Sequence, residues 1–191
     1  MNKAIVDFLL TRRSSKPALL TDPGPTAGQL ETILTAASRV PDHKKLTPWR
    51  FIVFEGEARR KFGEHLAEIC REEEHEPPSD IRLETERGRF MRAPAVICVI
   101  ASARADAPVP VIEQTLSAGA ACFNLCLAAN ALGFGSSWIT EWYAFSPRVA
   151  GVLGLAPHEA VAGFVYLGTA SETQPDRDRP ALSSIVSRWQ G

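Results

Sequence analysis

At 191 residues, with 45% hydrophobic and 23% charged side chains, the chain has the composition of an ordinary globular protein with one sizeable core. Its 21 basic and 22 acidic residues leave a net charge of −1, which excludes the global basic field that binds nucleic acid. The first residues lack the long apolar run of a signal peptide, and no segment approaches the roughly 20 apolar residues that span a bilayer. We therefore expect one cytoplasmic domain over residues 1–191.

The sequence of the first half of the chain predicts mainly amphipathic helices. Apolar residues at helical spacing predict four of them, over residues 2–12, 27–38, 57–74 and 79–91. Thr26 is a candidate N-cap for the second. A single strand, R-F-I-V-F at residues 50–54, interrupts this series.

The second half alternates strands with helices. A-V-I-C-V-I-A at residues 95–101 is too short for a buried helix and predicts a central strand. Further strands are predicted at 136–140 and 160–168, a short helix at 146–153 with Ser146 as N-cap, and a terminal arm or short helix at 182–189. The longest apolar helix, 112–132, is apolar on most faces, so we expect it to be covered from two sides, a second subunit being one candidate cover. The fold class is α+β.

The connection at residues 39–51 is longer than the usual helix-to-strand link of about 4–6 residues. It combines cationic side chains with a His, two Pro and a Trp, a mixture that suits a flat ligand carrying negative charge. Two more basic groups occur elsewhere: Arg12, Arg13 and Ser14 with Lys16, and Arg177 with Arg179. Each group alone is better explained as a helix end, a solvated loop or a charged tail, but together they suit a phosphate attached to a polarisable ring.

No side-chain chemistry of its own is evident in the sequence. The serines lie outside nucleophile motifs, the four His have no metal-ligand spacing, and Cys122 and Cys126 read as small buried hydrophobes. We expect no metal and no catalytic side chain. This pattern is typical of a protein in which a cofactor carries the reaction.

Five segments of the sequence resemble motifs of one known protein family. R-R-S-S-K at 12–16 is followed in order by A-S-R-V-P at 37–41 leading to T-P-W-R-F at 47–51, G-F-G-S-S-W at 133–138, G-F-V-Y-L-G at 163–168, and R-P-A-L-S-S-I-V at 179–186. Taken in this order over nearly the whole chain, they resemble the FMN-dependent nitroreductases. Pro41-Asp42-His43-Lys44 resembles the compact NAD(P)H nitroreductase branch of that family.

The resemblance implies a nitroreductase-like homodimer with FMN at the subunit interface and a central mixed or antiparallel sheet flanked by helices around a long buried helix. Arg12, Arg13 and Ser14 would hold the phosphate and ribityl chain, and Lys16 would lie beside the ring edge that becomes negative on reduction. The other implied cofactor contacts are Trp138, Ile139 and Thr140 along the ring, Arg39 and His43 reaching it from the partner subunit, and Arg177 and Arg179 near the phosphate.

The implied activity is NAD(P)H-dependent reduction of nitroaromatics, quinones or related small acceptors by a ping-pong mechanism. Another flavin reaction on the same fold (dehalogenation or flavin fragmentation), a non-catalytic FMN-binding protein, and a non-flavin α+β binding domain are the alternatives. Three departures from the family pattern concern the flavin and the acceptor. Thr47 stands where Gln is usual and shortens an implied flavin contact. Arg50 stands where His is common and Ile139-Thr140 replaces a more polar pair, and both changes bear on the choice of acceptor.

Overall fold

The computed structural model of the protein describes residues 2–74 and 76–191, and Met1 and His75 lie outside them. Within these residues the helices are α1 (Lys3–Thr11), α2 (Ala27–Ala37), α3 (Glu57–Glu73), α4 (Asp80–Gly88), α5 (Val111–Ala131), α6 (Pro147–Val152) and α7 (Leu182–Ile185). The strands are β1 (Leu20–Thr21), β2 (Trp49–Glu55), β3 (Ala95–Ala101), β4 (Gly135–Ile139) and β5 (Ala160–Ala170).

The strands form an antiparallel sheet in the order β2-β3-β5-β4. Phe51 lies opposite Val99, Val99 opposite Gly163, and Trp138 opposite Val165. The short β1 pairs with the last residues of β5. The α+β class and the antiparallel form of the expected sheet are confirmed, and β4 is an edge strand.

Strand β3 is buried along its whole length because helices cover both faces of the sheet. Ile97 and Val99 pack with residues of α2 and α5, whereas Val96 and Ile100 pack on the opposite face with residues of α3. Burial on both faces explains why the sequence of this strand is continuously apolar rather than alternating.

Helix α5 is buried along one side only in the single chain. Its small residues, such as Ala121 and Ala129, face the sheet, and Leu116 and Phe123 are exposed on the opposite side. By length and composition α5 could cross a membrane, which corrects the expectation that no segment comes close. Its packing against the sheet is that of a core helix, and its other side is exposed in the single chain.

Local sequence signals place several helix ends correctly. Thr26 and Gln29 form a reciprocal capping box at the start of α2, and Ser146 accepts the backbone N–H of Val149 at the start of α6. The helix predicted over 79–91 ends earlier, at Gly88, and continues as a 3₁₀ turn over Arg89–Arg92.

Candidate functional site

The basic segment 12–16 lies against the start of β4. The backbone N–H of Ser15 donates to the carbonyl of Ser136 at 2.9 Å. A Cβ at Gly135 would lie 2.8 Å from Ser15 Oγ and 2.6 Å from Leu20 Cδ2, closer than side chains tolerate. A larger residue at position 135 would have to displace these side chains, and the basic segment is thereby packed closely against the strand that carries Trp138.

Arg12 lines a cavity of about 340 Å³ between the end of α1 and the turn after α5. Its Nη2 donates to Ser14 Oγ at 3.2 Å, and its guanidinium lies 5.7 Å from the centroid of the Phe123 ring. Within the described chain, Arg12 Nε and Asn130 Oδ1 are buried without a hydrogen-bond partner, and both residues line this cavity. A buried donor and acceptor left unpaired are costly, so the cavity fits a polar ligand: an anionic group would accept from Arg12 Nε, and Asn130 Oδ1 would need a donor such as a hydroxyl.

Arg13 is connected to the segment that follows β5. Its Nε donates to the carbonyl of Pro175 at 2.9 Å and lies 3.9 Å from Asp176 Oδ1. Arg179 Nη2 reaches the same Asp176 oxygen at 3.4 Å, whereas Arg177 contacts Asp176 through its backbone N–H. The structure therefore brings Arg179 to the basic segment through Asp176, and it does not bring the Arg177 side chain there.

The Trp138 side chain packs against a β-bulge in the neighbouring strand β5. Between β3 and β5 the register shifts by one residue, leaving Ala162 as an extra residue in β5. The indole Nε1 donates to the Ala162 carbonyl at 3.2 Å, and a Cβ at Gly163 would fall far inside van der Waals contact of the indole. The bulge and the glycine together fix an exposed Trp138 on the α5 side of the sheet.

Replacing Gly163 with Ala is expected to displace the Trp138 indole and to destabilise the protein by about 1–3 kcal/mol, because the added methyl group overpacks this contact. Near-UV circular dichroism and thermal unfolding measure the two effects. Gly28→Ala is the control, since a Cβ at Gly28 meets no atom within 4 Å. An unchanged tryptophan signal in Gly163→Ala would contradict this account of how Trp138 is held.

Because side chains alternate along β4, Trp138 and Ile139, both expected to line the flavin ring, point to opposite faces of the sheet. Ile139 lies partly buried against the core on the α3 side of the sheet, opposite Trp138. Thr140 follows β4 and is exposed. The structure thus places the side chains of Trp138 and Ile139 on different faces, so Ile139 offers the Trp138 face its backbone rather than its side chain.

The loop that carries His43 has an unusual backbone. Lys44, Lys45 and Thr47 have φ of 59°, 54° and 48°, in the left-handed region that non-glycine residues seldom occupy. The Asp42 carboxylate stabilises this shape by accepting the backbone N–H groups of Leu46 at 2.9 Å and Thr47 at 2.8 Å. His43 Nδ1 lies 2.8 Å from Glu113 Oε2, in the first turn of α5.

The predicted site residues fall on two flanks of α5. One flank meets the His43 loop, where Asn124 Nδ2 lies 3.4 Å from the Arg39 carbonyl oxygen and Glu113 faces His43. The other flank meets Trp138 and Arg12 through Gly119 and Phe123. At 3.6 residues per turn, the exposed Leu116 lies between these flanks. Within one chain, Arg39 and His43 are therefore not brought together with Arg12, Arg13, Ser14, Lys16 and Trp138.

Arg50 forms a bidentate salt bridge with Glu159. It donates to both oxygens of Glu159 at 2.7 Å, and Ser102 Oγ and the Ala156 backbone N–H donate to the same carboxylate at 2.7 and 3.0 Å. The Arg50 hydrogen bond is the main cause that lowers the pKa of Glu159 from 4.5 to about 2. The pair links β2 to the residue before β5, which gives Arg50 a structural role.

Glu159→Gln is expected to reduce the free energy of unfolding by about 1–3 kcal/mol at neutral pH, the range for hydrogen bonds to a buried charged group. Because the folded-state pKa is lowered, the stabilisation is present above pH 4.5 and is lost as the pH falls towards about 2. Urea unfolding of both proteins between pH 7 and pH 2.5 should show the difference shrinking with acidification. Glu57→Gln, in an exposed pair with Arg60, should show little such dependence; an equal dependence there would contradict the assignment.

The cysteines are buried and unsuited to nucleophilic chemistry. Burial raises the pKa of Cys122 to about 12 and of Cys126 to about 11. Among the described residues, no group of three or more His, Cys, Asp or Glu side chains is arranged to hold a metal ion.

Sequence reasoning missed four residues that shape this site: Glu113, Asn130, Gly163 and Asp176. Gly163 carried a weak signal, since glycine inside a strand often marks a bulge or a close approach. Asp176 lies in the polar segment beside the predicted Arg177 and Arg179. Glu113 and Asn130 gave no local signal, because their roles depend on His43 and on the cavity at Arg12.

Comparison with known proteins is consistent with this architecture. The family profile described as Nitroreductase family matches residues 9–169. "Putative NAD(P)H nitroreductase YdjA" of Escherichia coli K12 is 37% identical over 164 residues, which are 86% of this chain and 87% of that protein.

Two solved structures share the fold. A nitroreductase-like family protein from Bacillus cereus aligns with a TM-score of 0.82 and 22% identity over 98% of this chain and 96% of its own. A Desulfovibrio desulfuricans protein in complex with FMN aligns with a TM-score of 0.75 and 21% identity over 100% and 99%. Because the family profile spans most of the chain and a relative is 37% identical across most of both sequences, the chain belongs to the nitroreductase family.

Proposed function

We propose that the protein is an FMN-dependent oxidoreductase that uses NAD(P)H to reduce nitroaromatic, quinone or related acceptors by a ping-pong mechanism. The observation that carries the proposal is the cavity at Arg12, where a buried cationic donor and the buried Asn130 carbonyl oxygen are unpaired. Family membership supports the oxidoreductase class, YdjA is named for NAD(P)H, and the D. desulfuricans relative binds FMN.

Arg12, Arg13 and Ser14 would hold the phosphate end of FMN in this cavity. Trp138 lies three residues along β4 from Gly135, about 10 Å at the rise of a strand, in the direction that the ribityl chain would take. Trp138 and the backbone of Ile139 and Thr140 would face the ring, and Lys16 would place its cation at the ring edge. Arg179 would add positive charge near Arg13, and Arg177 would contribute at longer range.

When bound, FMN would supply the redox chemistry by accepting a hydride from NAD(P)H and delivering reducing equivalents to the acceptor. The side chains named here would bind and orient FMN and shield it from solvent, so no general acid or base is required from them. The exposed indole of Trp138 would form one wall of the space in which the reductant and the acceptor bind in turn.

We further propose that the active form is a cytoplasmic homodimer. Exposed apolar residues cluster on three elements that a second copy would cover: Ile5, Leu9 and Leu10 of α1, Leu116 and Phe123 of α5, and Leu182, Ile185 and Trp189 of the C-terminal segment. Because α5 separates Arg39 and His43 from Arg12 within one chain, His43 of the partner subunit would complete each site. A stable, FMN-bound monomer would be incompatible with this arrangement.

Anaerobic titration of the purified protein tests the function. The protein should be yellow, bind FMN and bleach when NADH or NADPH is added, and its colour should return when an acceptor follows. Protein that cannot bind FMN would overturn the flavin assignment. A yellow protein that neither reductant bleaches would identify an FMN carrier rather than a reductase.

A further inference from the structure

His43 and Glu113 form a contact that the sequence did not suggest. His43 Nδ1 lies 2.8 Å from Glu113 Oε2, and both side chains are about half exposed, at 55% and 47%. An ionised carboxylate accepts hydrogen bonds and cannot donate them, so Nδ1 is the nitrogen that carries the proton. His43 Nε2 makes no hydrogen bond to any described residue and is the ring atom left to meet a ligand.

The backbone below His43 is also held in place. Two hydrogen bonds from Asp42 stabilise a loop in which Lys44, Lys45 and Thr47 have positive φ. Each such conformation costs on the order of 1–3 kcal/mol and persists only where its surroundings determine it. Asp42 thus fixes where the His43 backbone lies, and Glu113, from a different element, fixes how the ring is turned.

We propose that Glu113 is a positioning residue for His43: its carboxylate keeps the proton on Nδ1 and orients Nε2 towards the bound flavin. This inference rests on the proposed function, in which His43 contacts FMN from the neighbouring subunit. A ring held in one tautomer and one orientation before the ligand arrives binds it with less loss of conformational entropy. The other residues that line the groove at this pair, Pro41, Leu116, Ser117 and Ala120, are uncharged. Of the charged residues that flank His43 in the chain, Asp42 bonds through its carboxylate to the loop backbone, and Lys44 is the other.

The contact is tested with Glu113→Ala, Glu113→Gln, His43→Ala and the double variant Glu113→Ala/His43→Ala. FMN dissociation constants come from quenching of flavin fluorescence, and the protonated ring nitrogen of His43 comes from ¹⁵N NMR of histidine-labelled protein. Glu113→Ala should weaken FMN binding about tenfold and shift the His43 ring nitrogens away from the Nδ1–H pattern. Glu113→Gln keeps an oxygen that accepts from Nδ1, so it should recover most of the affinity.

The control is Glu68→Ala, which breaks a comparably exposed carboxylate–histidine pair with His65 on α3. It should leave FMN affinity unchanged. In the His43→Ala background, adding Glu113→Ala should have no further effect, because Glu113 acts through His43.

These measurements distinguish a failure of the proposed function from a failure of the inference about Glu113. If His43→Ala leaves FMN affinity unchanged, the assignment of His43 in the proposed function is wrong and the inference falls with it. If His43→Ala weakens binding but Glu113→Ala does not, or if their effects add in the double variant, Glu113 is not a positioning residue and the flavin assignment stands. An unchanged His43 tautomer in Glu113→Ala also overturns the inference.

Discussion

Replacing Arg12 and Ser14 together with Ala is expected to weaken FMN binding by at least about 100-fold, because the two charge-assisted hydrogen bonds to a phosphate that are lost contribute about 1.5–3 kcal/mol each. Arg12 Nε has no hydrogen-bond partner among the described residues, so the substitution removes a donor that a bound phosphate could accept from. The fold itself should not suffer. Fluorescence quenching measures the affinity, and sedimentation checks that the variant keeps the oligomeric state of the unsubstituted protein.

Thermal unfolding gives a second measure of the same prediction. Added FMN should raise the Tm of the unsubstituted protein by mass action and should have far less effect on the variant at the same concentration. Arg60→Ala with Thr85→Ala is the matched control, because it removes one cation and one hydroxyl from exposed positions on α3 and α4. Retained affinity in the Arg12/Ser14 variant would rule out this segment as the phosphate site.

The sequence predicts the elements because their signals are local. The capping box of Thr26 involves only four consecutive residues, and β3 is recognisable from seven consecutive apolar residues. The two-residue β1 exists only through its pairing with the end of β5, so nothing within it could reveal it. The antiparallel order of the strands likewise depends on contacts between distant segments.

The site was predictable as a set of residue types but not as an arrangement. Glu113 is 70 residues from His43, and no local pattern links them. Strand alternation in the predicted 136–140 strand did hold the information that Ile139 and Trp138 point to opposite faces. The division of the site between the two flanks of α5 follows only once the helix is packed on the sheet.

A buried charge network behind the site carries the largest expected effect on stability. Glu86 is fully buried and accepts hydrogen bonds from Arg82, from Arg89 at 2.8 Å and from Trp142 Nε1 at 2.9 Å. Arg89 also donates to Glu141 at 2.6 Å, directly after Thr140. The network therefore joins α4 to the segment that leaves β4.

The network continues from Glu141 into the core. Arg92 donates to the Glu141 carboxylate at 2.7 Å, and the Tyr143 hydroxyl donates to the same carboxylate at 2.6 Å. Arg92 also donates to the Tyr166 hydroxyl of β5 at 3.0 Å. Burial opposes ionisation of Glu141, but the hydrogen bonds from Arg92 and Tyr143 outweigh it and lower the pKa of that carboxyl. Both carboxylates lie among guanidinium groups, so the loss of either one leaves positive charge unpaired in a largely buried site.

Glu86→Ala should accordingly lower the free energy of unfolding by about 3–5 kcal/mol, the range for removing one partner of a buried ion pair. Glu84→Ala is the matched control on the same helix: its carboxylate is 75% exposed and pairs with Arg87 at 3.1 Å, so its loss should cost about 0.5 kcal/mol or less. Urea unfolding measures both. If the two variants lose equal stability, the network does not anchor the segment after β4. If Glu86→Ala is destabilised as expected, its FMN affinity should also fall, because the backbone at Thr140 is then less firmly held.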